Sequence, residues 1–283
     1  MRSKFSLPGF GLVLMAILAL MFAGCSDDST TVIYDDSLTN GDPEDPEFLL
    51  VQDRVNDFFT QTQEDFLLGF ENIYQLPTDT EEVRNMYGPM GPEDIVNYVY
   101  ANGWHITYVE RNNAYFNDFF HDSVQFQIDS EPVEEPTGLD LLHYIRYCGY
   151  ATNVTDETHT DYNGHVDLIF EDLDTETCTI NGTNSKLLEY TYICPESTVV
   201  STYDFDNTIS DVNVNEVPSY GWSGSYPVTG EMVITVAQVR DVDYGSGSQI
   251  TVRNWSVSVE IEDGVAAVRV VSDDLVWDYE MEL

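Results

Sequence analysis

The chain has 283 residues, with 10 Lys+Arg against 51 Asp+Glu and a formal net charge of −41. A balance that acidic repels phosphate backbones and anionic head groups, which excludes nucleic acid as a partner. With 42% hydrophobic residues and 18 Tyr, 14 Phe and 4 Trp, the chain is nonetheless globular, because aromatic-poor acidic chains are the ones that stay unfolded.

Chain order begins with Arg2 and Lys4, then an apolar run from Leu12 to Phe22, then Ala23-Gly24-Cys25. The apolar stretch is too short for a bilayer span of about 20 residues. A basic start, an apolar centre and small residues before a cysteine make a secretory signal. It resembles the lipobox of bacterial lipoproteins, although Phe22 stands where that family usually has leucine or another aliphatic residue. The resemblance implies that Cys25 is acylated, becomes the first mature residue and attaches the protein to the lipid bilayer. Ser26, in place of aspartate, implies the outer membrane, and Ser26-Asp27-Asp28 is similar to the export signal of some surface lipoproteins. Without Arg2 and Lys4 the mature chain keeps 8 basic and 51 acidic residues, or −43. The expected organisation is a signal peptide at 1–24, an acidic flexible tether at 25–45 and one β-rich domain at 46–283, with its helices inside 46–90.

Asp45-Pro46-Glu47 is a helix start: a capping carboxylate, a proline at the first helical position and an acid at the positive dipole end. Phe48, Val51, Val55, Phe58, Phe66, Phe70 and Ile73, with Thr62 in the middle turn, keep to one helical face. Pro77 stops the pattern, which predicts a helix over 46–75. A shorter helix is expected at 79–87. Pro92-Glu93-Asp94 could start another, but Val96, Tyr98 and Tyr100 alternate, as do Trp104, Ile106 and Tyr108, around Asn102-Gly103. A hairpin is the better reading.

Strand-like segments follow near 113–120, 123–129 and 140–150, and then at Val166, Leu168 and Phe170. Asn181-Gly182 reads as a second hairpin turn before Leu188, Tyr190 and Tyr192. Alternation is clearest at Met232–Val236, at Trp255–Ile261 and over the last nine residues. No βαβ alternation is present. The fold class expected is α+β, mainly β: an N-terminal amphipathic helix and then an antiparallel meander of roughly ten strands. A sheet of that size curls, closes into a barrel-like form or splits into a sandwich.

Chemistry is sparse. Asp156, His159, Asp161 and His165 are the candidate ligands for a divalent cation, but they lack EF-hand or HExxH spacing, and Asn163-Gly164 reads as a turn. Asp204, Asp206 and Asp211 are the candidate acids for glycan hydrolysis. Cys148 and His143 stand an odd number of residues apart, so on a strand they face opposite ways. Cys148, Cys178 and Cys194 allow one disulfide in an oxidising compartment, and sequence does not choose the pair. There is no GxSxG elbow, phosphate loop or GxGxxG. The expectation is therefore an anchored, non-enzymatic binding or scaffolding module without a cofactor, for a protein, glycan or lipid ligand. The alternatives are a carrier that encloses an apolar ligand and, last, a glycan hydrolase.

Overall fold

Helix α1 covers Pro46–Gln75 and begins where the capping residues place it: the Glu47 amide donates to the Asp45 carboxylate at 2.9 Å. It ends at Leu76, whose extended backbone is what a residue before proline adopts. The apolar stripe from Phe48 to Phe70 is buried, joined by Phe59, Asp65 and Gly69. Thr62 fits this face because its hydroxyl donates to the Phe58 carbonyl. Helix α2 covers Thr80–Met86, with the Glu81 and Glu82 amides donating to Asp79. The computed structural model describes residues 38–86, 91, 93–112, 116–155 and 158–283. The expected signal peptide, Cys25, most of the tether and Asp156 therefore lie outside the described residues. No described helix is long and apolar enough to cross a membrane.

Residues 38–283 belong to one compact unit, built on a sheet of thirteen strands. The strands are β1 (Thr39–Asn40), β2 (Ile95–Ala101), β3 (Trp104–Asn112), β4 (Phe116–Ile128), β5 (Glu131–Val133), β6 (Leu141–Thr155) and β7 (Thr158–Glu171). They continue as β8 (Thr177–Cys194), β9 (Ser197–Asn215), β10 (Pro227–Asp243), β11 (Ser248–Glu262), β12 (Val265–Ser272) and β13 (Leu275–Glu282). From β6 to β13 each strand pairs antiparallel with its chain neighbours, and β4 bridges β3, β5 and β6. The exception is β1, which adds parallel to β13. The path has two ends, so the sheet is a curled meander and not a closed barrel.

The curl is fastened by α1. Phe48 stacks on Trp277 of β13 at 4.9 Å, Phe58 on Phe205 of β9 at 4.8 Å, and Phe70 meets Phe170 of β7 edge-on at 4.9 Å. From Phe48 to Phe70 the helix rises about 33 Å, and the steps from β13 to β7 span about 29 Å. The helix therefore runs nearly across the strands, and one apolar stripe serves seven of them. Burial alternates along those strands: Val166, Leu168 and Phe170, then Met232, Ile234 and Val236, then Trp255, Val257, Val259 and Ile261. This inner face forms the main core with α1. A satellite core joins Val83 of α2 to Val96, Val109 and Phe120.

The structure corrects several expectations. The hairpin at Asn102-Gly103 forms, with both residues at positive φ. Asn163-Gly164 and Asn181-Gly182, by contrast, lie inside β7 and β8. The β7–β8 ladder pairs continuously past both, with a register shift only on the β9 side between Ile180 and Gly182, so the glycines serve close approach and not reversal. At Gly182 (φ +149°) a Cβ would fall on the Asp167 carbonyl. Gly182 on β8 and Gly230 on β10 flank a bulge in β9, where Asp211 sits at φ 50°. The segments expected at 113–120 and 123–129 are one strand, β4, with 113–115 outside the described residues. The end of the expected tether is fixed: the Thr39 amide donates to the Asp274 carbonyl, and the Trp277 indole donates to the Asp42 carbonyl. Gly41 permits this because the Trp277 ring occupies the place of its side chain.

Candidate functional site

Between α1 and strands β6–β9 lies a groove of about 300 Å³. The helix contributes Arg54, Asp57, Phe58, Gln61, Glu64, Asp65 and Leu68; the strands contribute Arg146, Cys148, Tyr150, Tyr162, Lys186, Leu188, Tyr190 and Phe205. Three cations therefore face the three carboxylates of the lining and Asp122 behind Arg146, a near balance in a chain whose net charge is −41.

Each cation is held by a partner and an aromatic ring. Lys186 is buried, with Nζ 3.3 Å from Asp65, donating to Gln61 at 3.2 Å and lying 5.1 Å over the Phe58 ring. Burial lowers its pKa, and Asp65 opposes the shift. Asn184, beside it on the inner face, donates to Thr62 at 2.9 Å and receives a bond from Asn207. This polar thread ties the middle of α1 to β8 and β9. Arg54 pairs with Asp57 at 3.2 Å and lies 4.7 Å over the Tyr190 ring. Arg146 stands 3.5 Å from Asp122 and donates to the Tyr144 hydroxyl, which donates in turn to Asp122; the Phe120 ring lies 5.3 Å from its guanidinium. Burial pulls the Arg146 pKa down, but the groups around it, Asp122 first and then Tyr144 and Cys148, more than restore it.

Burial pushes the Asp122 carboxyl up to about 6, against the pull of Arg146. A carboxyl raised in the folded state costs nothing when both states are protonated and penalises folding once it ionises. Its cost is absent below about pH 4, grows as pH rises and reaches about 3 kcal/mol above pH 6. Asp122→Asn is expected to gain about that much on the wild type between pH 4 and pH 8. Urea unfolding at the two pH values checks it, and an unchanged difference would refute the shift.

Among its described residues the groove shows no activated nucleophile. The Cys148 thiol donates to the Tyr162 hydroxyl at 3.8 Å, and burial raises the pKa of both groups, so the thiol stays protonated and inert. His143 pairs with Asp167 at 2.7 Å on the opposite face of the sheet, as the odd spacing predicts. What the arrangement supports is recognition: ring faces beside paired hydrogen-bonding groups.

The other sequence candidates do not converge. His159 bonds Asp161 at 2.8 Å. His165 lies six residues further along β7, about 20 Å away, and stacks on Tyr147 at 4.4 Å. Among the described residues no group of three or more His, Cys, Asp or Glu could hold a metal. Asp204 and Asp206 alternate with the buried Tyr203, Phe205 and Asn207, so they lie on the outer face of β9. Burial and then the Asp206 charge raise Asp204. Asp211 belongs to the bulge. Cys148, Cys178 and Cys194 are all free. Lys186 shares the register of Cys148 through Gly164 and stands eight residues from each of the other two. Strand rise then separates the thiols by about 25 Å or more, beyond any bridge.

Compared with known proteins, the chain matches no family model, no curated protein and no solved structure.

Proposed function

We propose that the protein is an envelope lipoprotein, attached to the outer membrane through acylated Cys25, whose folded part is a non-enzymatic binding module. The observation that carries the binding role is the groove beneath α1, where Arg54, Arg146 and Lys186 meet the tyrosine-lined walls. The cations there offset most of the repulsion that the rest of the surface presents. Tyr150 and Tyr162, stacked on each other at 5.2 Å, and Tyr190 beneath Arg54 line the groove with aromatic surface, and Gln61 and the ion pairs offer donors and acceptors. A ligand with both a flat apolar face and hydrogen-bonding groups fits that lining, as a glycan or an aromatic peptide side chain does. Because α1 and its phenylalanines take up the concave face, a groove binder is favoured over a carrier that encloses its ligand.

Two measurements test the reading. Mass spectrometry of the mature N-terminal peptide is expected to find acylated Cys25, and an unmodified cysteine would remove the anchor. Purified protein screened by thermal shift against envelope glycans and peptides is expected to yield a ligand whose affinity falls about tenfold or more in Tyr190→Ala. Turnover of that ligand, or binding indifferent to Tyr190→Ala, would overturn the module.

A further inference from the structure

Strands β8–β11 run past the helix. From residue 191 to 202 and from 239 to 252 no described residue is buried on either face. The two hairpins stay paired to their tips: Tyr192 opposes Val199, Val199 opposes Val242, and Val242 opposes Gln249. The result is a four-stranded blade without a core of its own. It nevertheless carries Tyr192 (51% exposed), Ile193 (47%), Val239 (37%), Tyr244 (54%), Ile250 (62%) and Val252 (61%). Apolar side chains gathered at one end of a molecule, on backbone that needs no such residues for packing, mark a contact surface.

The chain path says which way the blade points. Strand β11 leaves the blade and turns at Glu262-Asp263-Gly264, so β12 returns toward the blade side. Its turn into β13 lies level with Asn254, where the Ser272 hydroxyl donates to the Asn254 carbonyl. Strand β1 pairs parallel to β13 from that turn onward, so the chain enters the fold from the blade side. The blade reaches about six residues, or roughly 20 Å, beyond that entry point. The chain from Cys25 to Leu38, the first described residue, spans at most about 45 Å, enough to reach the level of the tip.

From this placement we infer that the β8–β11 blade is a membrane-contact surface whose tip dips Tyr192, Ile193, Tyr244 and Ile250 to head-group depth in the bilayer that holds the anchor, a depth at which the exposed Glu196 and Asp243 stay hydrated. It rests on the anchoring reading above. Tyrosine suits that depth, with an apolar ring and a hydrogen-bonding tip. The occupant is a zwitterionic lipid surface: a net charge of −41 opposes anionic head groups and also a second copy of the chain. Contact of this kind adds a second, weak attachment to the acyl chains and fixes the orientation of the groove.

The test separates the blade from the anchor. A chain beginning at Ser26 keeps both cores and every strand but cannot be acylated. With Tyr244→Trp as the probe, read as the difference from the same chain without it because four native tryptophans also emit, phosphatidylcholine vesicles are expected to shift the emission to the blue, and vesicles with added phosphatidylglycerol to do so less. Ile193→Glu with Ile250→Glu is expected to weaken vesicle binding by about tenfold or more with the melting temperature unchanged. Ile95→Glu with Val99→Glu, on edge strand β2, is expected to leave it intact. No blue shift with phosphatidylcholine, or equal binding by the blade variant, would overturn the inference. So would sedimentation as a dimer that the blade variant abolishes. An unacylated Cys25 in the native protein would remove the anchor and leave the vesicle result standing.

Discussion

Replacing Lys186 with methionine is expected to destabilise the protein by about 3–5 kcal/mol, because it leaves the Asp65 carboxylate under α1 without its cation. The two side chains are 4% and 11% exposed and 3.3 Å apart, so water cannot take over the role of the lost ammonium. The pair itself need not be strongly stabilising: desolvating both ions offsets most of their attraction. Asp65→Leu combined with Lys186→Met is therefore expected to recover most of the loss, although Asn184 gives up a weak 3.4 Å contact to Asp65. For a domain of this size the single variant is expected to melt about 6–15 °C lower. Chemical unfolding of the wild type, both singles and the double closes the cycle. A double variant as unstable as the worse single would mean that the pair contributes net stability.

Phe70→Ala is expected to cost about 3–5 kcal/mol by the usual cavity scaling. Phe70 is 1% exposed and wedged between Phe170 and Trp222, at 4.9 and 5.3 Å. Collapse around the gap is blocked on one side, since the Phe170 ring already fills the space where Gly69 lacks a side chain. Trp222 opens a short 3-10 turn (Trp222–Gly224), and its amide donates to the Tyr74 hydroxyl at the end of α1. That connection between β9 and β10 is therefore expected to loosen with the helix end. Faster amide hydrogen exchange confined to 216–226 would report it, and a loss under about 1 kcal/mol would show that the site repacks.

Helix α1 was legible because its cap, stripe and proline stop all agree over the 30 residues it covers. The inner face of the C-terminal strands was equally legible, since strict alternation leaves one reading. The errors gathered where a local signal competed with long-range pairing. Asn-Gly marks a turn only if the flanking strands pair with each other, and around Asn163 and Asn181 they pair with outside neighbours instead. The groove was missed for a different reason. Lys186 has the same parity as Leu188 and Tyr190, which alternation turns inward, so its burial could have been read from β8 alone. Its carboxylate partner lies on α1 at Asp65, and nothing in a single sequence brings those positions together. Asp122 and Arg146 likewise meet only through the β4–β6 register.

The pairing of β1 with β13 has a consequence for the order in which the fold can be assembled. The meander can zip strand by strand, since most partners are adjacent in the chain and their loops close at little entropic cost. Helix α1 cannot follow that schedule. It is made first, yet its N-terminal seat is Trp277, 235 residues beyond the Asp42 carbonyl that the indole clasps. During synthesis the amphipathic stripe has no complete surface to bury against until the final strand arrives. The segment from Leu275 to the end thus acts as the latch of the whole molecule: a chain stopped short of it would retain a sheet but leave the start of α1 undocked.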